Sequence, residues 1–235
     1  MTRLPILMYH NVSVNQKISH GLTISAEKLE HHFRYLTENK YKSYHLSELE
    51  NNTVISEKSV VITFDDVTEN QLLAVDLLKK YNLKATFFVP FAYVGKTDEW
   101  NNGSEKIMTF DQLKNLPNLV ELGLHSYAHK KYATLSEAEI NEDFDKCFAI
   151  IKEHNLAVYN AVAYPYGNYP KNGPEKSKFK TVLVQNDVKM GLRIGNKINK
   201  FPFKNPHEIM RIDVKGEDSL LKFKLKLRFG KLKLF

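Results

Sequence analysis

Cysteine is nearly absent from this chain: Cys147 is the only one in 235 residues. One thiol excludes an internal disulfide framework and any cysteine-rich zinc module. Its helical spacing from apolar neighbours within 144–151 makes it a core residue. Long apolar runs are missing as well. Met1-Thr2-Arg3-Leu4-Pro5 leads into an apolar segment of about five residues, too short for a signal-peptide core, and nothing approaches the roughly twenty apolar residues of a membrane span. As written the chain reads as cytoplasmic, and one trimmed of an export signal would read the same way. No internal repeat and no linker divides it. One domain over residues 1–235 is the economical reading, ending in a basic segment, 217–235.

Acidic excess is lacking too. Lys and Arg number 34 against 27 Asp and Glu, a formal net charge of +7. Six of those cations, Lys222, Lys224, Lys226, Arg228, Lys231 and Lys233, crowd into the C-terminal segment. The remainder is close to balanced, which argues against nucleic acid as a partner. With 43% hydrophobic and 26% charged residues, the composition is that of an ordinary folded domain.

What is present is an alternation of short apolar runs with helical patterns. Strands are expected over 4–9, 60–64, 84–90, 119–124, 157–164 and 208–214, and Arg193 ends another. Helices are expected over 26–39 with Ser25 as N-cap, over 69–81, over 110–116, and over 136–154 with a Ser136/Glu139 capping box. Strand–helix repetition implies parallel strands joined by crossovers. Periodicity by itself fits either a small, irregular (β/α) barrel or an open doubly wound sheet. In both, ligand sites gather at the C-terminal edge of the sheet. Four polar clusters fall there: His10, Asp65-Asp66, His125, and Tyr164-Pro165-Tyr166-Gly167.

Two of these carry metal chemistry. Adjacent carboxylates ending an apolar strand repel each other and lose water, so a cation or a shared proton must compensate. Their side chains diverge, so one can bind a metal while the other faces substrate. In His125-Ser126-Tyr127-Ala128-His129, histidines at i and i+4 are expected on one face of a helical turn, where both imidazoles can reach one ion. Two imidazoles and a carboxylate with an open position form the pattern of catalytic zinc. Alone, the acid pair reads equally as solvated loop acids or helix N-terminal acids, and the histidine pair reads more readily as two surface histidines; together they make a site.

Thr63-Phe64-Asp65-Asp66 and His125–His129 resemble the first two motifs of the polysaccharide deacetylase family, also called carbohydrate esterase family 4. The likeness extends in order from Pro5 to about Val214. It implies an irregular (β/α) barrel of about seven parallel strands. It also implies metal-dependent removal of acetyl groups from N-acetylated sugars in a polysaccharide, oligosaccharide or glycolipid, with Zn2+ or another divalent metal as cofactor. By the same resemblance Asp65 is the general base, and Asp66, His125 and His129 are the metal ligands. Ala163-Tyr164-Pro165-Tyr166-Gly167 resembles the third motif, so the Tyr166 N–H would hold the oxyanion, with Tyr164 and Pro165 at the substrate. The family's arginine two positions before that proline is replaced by Ala163, and Arg193 is the candidate substitute.

Ile6-Leu7-Met8-Tyr9-His10 resembles the N-terminal histidine motif of the biofilm-polysaccharide deacetylase branch, whose motifs are circularly permuted. It implies His10 as general acid, facing the substrate nitrogen across from Asp65. His207, in a polar, proline-bracketed stretch, reads as surface. Trp100 is a candidate platform for a sugar ring, with Tyr166, Tyr127 and Tyr169 as further ones. The alternating cations and apolar residues of 222–229 read as a packed last element with a solvated basic face, or as peripheral contact with an anionic membrane. Two rivals use the same residues. One is a catalytically idle carbohydrate-binding module on this fold, separated from an enzyme by acetate release. The other is a magnesium-dependent phosphoryl-transfer domain, which would not need the histidine pair.

Overall fold

The computed structural model describes residues 1–231. Seven parallel strands form its centre: β1 (Ile6–Tyr9), β2 (Ser59–Asp65), β3 (Ala85–Val89), β4 (Val120–Leu124), β5 (Val158–Ala163), β6 (Met190–Ile194) and β7 (Ile209–Asp213). They neighbour one another in chain order, and β1 pairs with both β2 and β7, so the sheet closes on itself. The architecture is the irregular (β/α) barrel that the resemblance implied. Closure leaves no sheet edge among the seven except where the two-residue strand Lys42–Ser43 extends β2.

Helices cover the outside: α1 (Ala26–Glu38), α2 (Leu72–Tyr81), α3 (Phe110–Lys114), α4 (Glu137–Glu153), α5 (Gly173–Gln185) and α6 (Leu220–Phe229). α1 begins where the Ser25 hydroxyl accepts from the Lys28 N–H, and it buries Leu29, His32, Phe33 and Leu36 at helical spacing. α4 starts with the Ser136/Glu139 capping box and buries Ile140, Asp143, Phe144 and Cys147. α5 is a helix that the sequence pattern did not signal, because only Phe179, Val182 and Leu183 of it are buried. The segment expected as a helix from Glu69 begins with a 3-10 turn, and its α-helical part starts at Leu72.

The strands build two cores by alternation. Leu7, Tyr9, Ile62, Phe64, Phe87, Val89 and Val162 face the helices. Ile6, Val61, Phe88, Ala161, Ala163, Met190, Leu192 and Ile209 form the other cluster, which fills the barrel. Gly123 on β4 admits Phe88 to that interior: a Cβ there would lie 2.7 Å from the Phe88 ring and 3.1 Å from the Ala161 carbonyl oxygen. The same alternation that sends Val61 inward sends Thr63 and Asp65 inward one and two steps later, at the mouth of the barrel.

Candidate metal centre and active site

β2 delivers Asp65 at its last position, and the chain then turns sharply. Asp66 and Val67 both adopt positive φ, 77° and 44°, a conformation costly for a β-branched valine. The Gln71 amide donates to the Asp65 carbonyl oxygen at 2.5 Å and holds the turn. The two adjacent carboxylates therefore diverge, Asp65 into the barrel and Asp66 toward the loop after β4.

That loop carries His125 and His129, but not on a helical turn. Residues 125–129 form an irregular loop with Ser126 at φ 61° and His129 at φ 52°. The expected i, i+4 helical face is thus replaced by two left-handed residues that fold the histidines together. The buried carboxylate of Asp143, on α4, fastens the loop by accepting from the Tyr127 N–H (3.0 Å) and the Tyr132 hydroxyl (3.1 Å). Burial pushes the Asp143 carboxyl up despite these donors. Non-glycine positive φ recurs at Tyr166, so five strained residues ring the site, where such strain is commonly spent on function.

Asp66 Oδ1 lies 3.4 Å from Nε2 of His125 and 3.3 Å from Nε2 of His129. It is buried and has no hydrogen-bond partner. Ligand atoms about 2.0–2.1 Å from a tetrahedral zinc stand about 3.3–3.4 Å apart, so this spacing fits a shared ion. All three donor atoms lie within 4.8 Å of one another. Burial raises the Asp66 carboxyl, yet the two imidazoles outweigh it and hold the group well below the carboxylate range. Burial pushes His129 down, favouring the neutral ring that binds metal. For His125 the burial effect is outweighed by Asp65 and Asp66, and its basicity rises.

The ring of His125 is set by its Nδ1, 2.7 Å from the Ala163 carbonyl oxygen. The Nδ1 of His129 is buried with no partner. Its ring is held by aromatics instead: Trp100 stacks on it (4.2 Å, 22°) and Tyr166 meets it edge-on (4.7 Å, 68°).

Asp65 is gripped by Arg211, an inward position of β7. The guanidinium Nη1 donates to Oδ1 at 2.5 Å and Nη2 to Oδ2 at 2.7 Å, a bidentate pair with both side chains buried. Nη1 also reaches the Thr63 hydroxyl at 3.3 Å, and the guanidinium lies 5.4 Å from the centre of the Phe88 ring. Burial would raise the Asp65 carboxyl, but Arg211 and His125 reverse that and keep it below its ordinary range. The arginine that pairs with Asp65 is therefore Arg211; Arg193, the candidate substitute for the third-motif arginine, does not reach it. Arg193 lines a separate cavity with Lys200, Phe203 and Lys204, and its Nη1 makes one long contact, with the Ile194 carbonyl oxygen. The signal in the sequence was an arginine in the middle of an apolar late strand, Ile209-Met210-Arg211-Ile212.

His10, directly after β1, places Nε2 3.7 Å from Asp65 Oδ2. It stands beside Asp65 and not across from it, because β1 and β2 are hydrogen-bonded neighbours with Tyr9 opposite Phe64. His10, Asp65, Asp66, His125, His129, Trp100 and Tyr166 all line one cavity of about 360 Å³, with Leu22, Ile194 and Asp213 at its walls. Tyr164 and Pro165 are buried beneath it instead. The Tyr164 hydroxyl donates to the His207 carbonyl oxygen at 2.9 Å, so its ring packs the core and is not offered to a ligand. His207 is part-buried with Nε2 2.8 Å from the Val188 carbonyl oxygen, not free on the surface. Tyr127 faces Lys146 and Tyr169 is buried against Tyr164, so neither lines the cavity.

A sequence model of the polysaccharide deacetylase family matches residues 53–181, more than half of the chain. The chain belongs to the polysaccharide deacetylase family. Members of this family are carbohydrate esterases and amide hydrolases, in general metal-dependent, and the Asp66–His125–His129 set suits such a metal. YxkH of Bacillus subtilis (strain 168), which bears a provisional polysaccharide deacetylase designation, is 28% identical over 173 residues. That match covers 71% of this deacetylase-family chain and 58% of YxkH, so the chain spans little more than half of that relative's length. The deacetylase PplD of Streptococcus pyogenes, solved with acetate, superposes with a TM-score of 0.78 at 22% identity, covering 96% of this chain and 98% of that one. IcaB of Ammonifex degensii gives 0.78 at 22% identity over 97% of both chains. The de-N-acetylase of Aggregatibacter actinomycetemcomitans gives 0.79 at 20%, covering 95% and 99%. At these identities the three structures speak for the fold.

Proposed function

We propose that the chain is a zinc-dependent N-deacetylase that hydrolyses the acetamide of N-acetylated sugars in a polysaccharide, oligosaccharide or glycolipid. The observation that carries the reading is the buried Asp65–Arg211 pair beside the three metal donors, at the floor of an open cavity. An amide is a poor electrophile, and its hydrolysis needs an activated water, a stabilised oxyanion and a protonated leaving amine.

A divalent ion held by Asp66, His125 and His129 would supply water of lowered pKa and polarisation of the acetyl carbonyl. Two imidazoles and one carboxylate favour zinc among the available divalent ions. Asp65 takes the water proton, and Arg211 keeps that carboxylate ionised and fixes its orientation. The Tyr166 N–H, turned by a positive φ at the cavity wall, shares the oxyanion charge. His10 delivers a proton to the departing amine. With His10 Nε2 3.7 Å from Asp65 Oδ2, base and acid work from the same side, so the scissile C–N bond lies over this pair. Trp100 and Tyr166 present aromatic surface to the sugar while clamping His129.

Ala163 in place of the third-motif arginine gives some weight to an idle carbohydrate-binding module, and the Arg211 pairing with Asp65 supports the enzyme reading against it. The test is acetate release from N-acetylglucosamine oligomers, peptidoglycan fragments and lipid-linked glycans, with and without chelator, beside Asp65→Asn. Release that disappears with chelator and with Asp65→Asn is expected. No release from any of them by metal-loaded protein would end the reading.

A further inference from the structure

The basic C-terminal segment has two faces, and the barrel uses one. α6 starts at the Ser219 cap and presents Phe223, Lys226 and Leu227 inward. Phe223 stacks on His32 (3.8 Å, 6°) and meets Tyr35 edge-on. The Lys226 ammonium is buried against Asp218 and donates to the Asp213 carbonyl oxygen at 2.6 Å. This inner stripe holds the helix in place, so the outer stripe is spare.

That outer stripe is apolar. Leu221, Leu225 and Phe229, at i, i+4 and i+8, are 68%, 36% and 49% exposed, and Leu220 adds 37%. Cations flank it: Lys222, Lys224, Arg228 and Lys231, with no acid inside the helix. Asp218 takes up part of the charge of Lys222, at 2.7 Å, and Lys224 rests over the Tyr35 ring. Arg228 and Lys231 are exposed at the far end.

The stripe adjoins the cavity mouth. The turn Ser19–Gly21 is fastened to the residues leading into α6: the Ser19 hydroxyl donates to the Gly216 carbonyl oxygen (2.7 Å), and the Gly21 N–H to Glu217 (2.8 Å). This turn carries Ile18 and Leu22, 52% and 51% exposed, and Leu22 is also a wall of the cavity. Leucines, isoleucine and phenylalanine thus run from the mouth along a helix edged with cations.

We propose that this surface docks on an anionic lipid bilayer, with the Ile18–Leu22 turn and α6 lying in the headgroup region and the cavity mouth beside them. Exposed apolar residues flanked by lysine and arginine are what an interfacial helix needs. A neutral protein partner would leave the cations without counter-charges. No helix among the described residues is long and apolar enough to cross a membrane, so the contact is peripheral. Should the deacetylase reading hold, docking brings the site to glycans anchored in the same bilayer; docking itself does not depend on that reading.

The test is co-sedimentation of the full chain with vesicles of phosphatidylcholine alone, or of equal parts phosphatidylcholine and phosphatidylglycerol. Binding to the anionic vesicles only is expected, weakening as salt rises. Each cation near such a surface contributes about fivefold, so Arg228→Glu with Lys231→Glu should lower affinity by at least about 25-fold. Leu221→Ser with Leu225→Ser should do the same while leaving circular dichroism and metal content unchanged. Equal binding to both vesicle types, no binding to either, or undiminished binding by both double variants would overturn the proposal. So would a dimer in sedimentation that the leucine variants dissolve, since a second copy would then cover the face.

Discussion

Arg211→Met tests the least expected part of the site. The substitution keeps much of the side chain's volume and removes a guanidinium bonded through two nitrogens to Asp65. Both residues are buried, so water cannot replace the lost donors. Removing one partner of a buried pair typically costs about 3–5 kcal/mol, because the remaining charge is left uncompensated. For a domain of this size each kcal/mol moves the melting point by roughly 2–4 °C, giving a fall of about 6–20 °C. Urea and thermal unfolding at neutral pH, in chelator so that metal does not contribute, measure it. The double variant Asp65→Asn with Arg211→Met should lose less than the two single losses combined, by about 1–3 kcal/mol of coupling. Arg211→Lys should recover only part, since an ammonium cannot reproduce the paired donors. A loss under about 1 kcal/mol, the range of exposed pairs, or strict additivity in the cycle, would refute the reasoning.

The two acids should separate by assay: Asp65→Asn retains metal and loses turnover by several orders of magnitude, whereas Asp66→Asn loses metal affinity itself, read by metal analysis after dialysis. His10→Ala should keep its metal and lower kcat by about 10²–10⁴-fold, with a smaller loss on an acetyl ester, whose leaving group needs less protonation; metal loss would contradict it. Trp100, the sole tryptophan, stacks on His129, so its fluorescence should shift on titrating apo protein with zinc, and Trp100→Ala should weaken zinc affinity. A flat titration would remove the clamp. His32 is buried against Phe223 and its pKa is pushed down to about 3 by burial. Because the unfolded chain takes up that proton near 6.5, His32 costs no stability above that pH and erodes it as pH falls toward 3, by about 1.4 kcal/mol per unit. His32→Phe should flatten the loss between pH 7 and 5 by about 2 kcal/mol in urea unfolding; parallel curves would contradict the buried neutral ring.

Strand–helix alternation, the N-cap at Ser25 and the box at Ser136 are local properties, and they placed the elements close to where they lie. The same holds for the polar residues at strand ends: a strand's last position is visible in the pattern, and β2, β4 and the loop after β5 each presented their site residue. Where the reading departed from the structure, the cause was not local. His125–His129 looked helical by spacing, but the loop takes its shape from Asp143 on α4, sixteen residues away from Tyr127. Tyr164 looked like a ligand contact by motif, but α5, with too few buried residues to announce itself, buries the ring against Phe179.

The sequence by itself determined which residue types stand at the C-terminal ends of the strands, and therefore which polar side chains the candidate site has to draw on. Only the tertiary structure decided which of them meet. Barrel closure puts β7 and β2 on either side of β1, so an arginine 146 positions from Asp65 becomes its partner while Arg193 does not. It also puts His10 beside Asp65 and not across from it. Neither outcome can be read along the chain, because side-chain alternation tells whether a strand residue points inward but not which strand lies next to it.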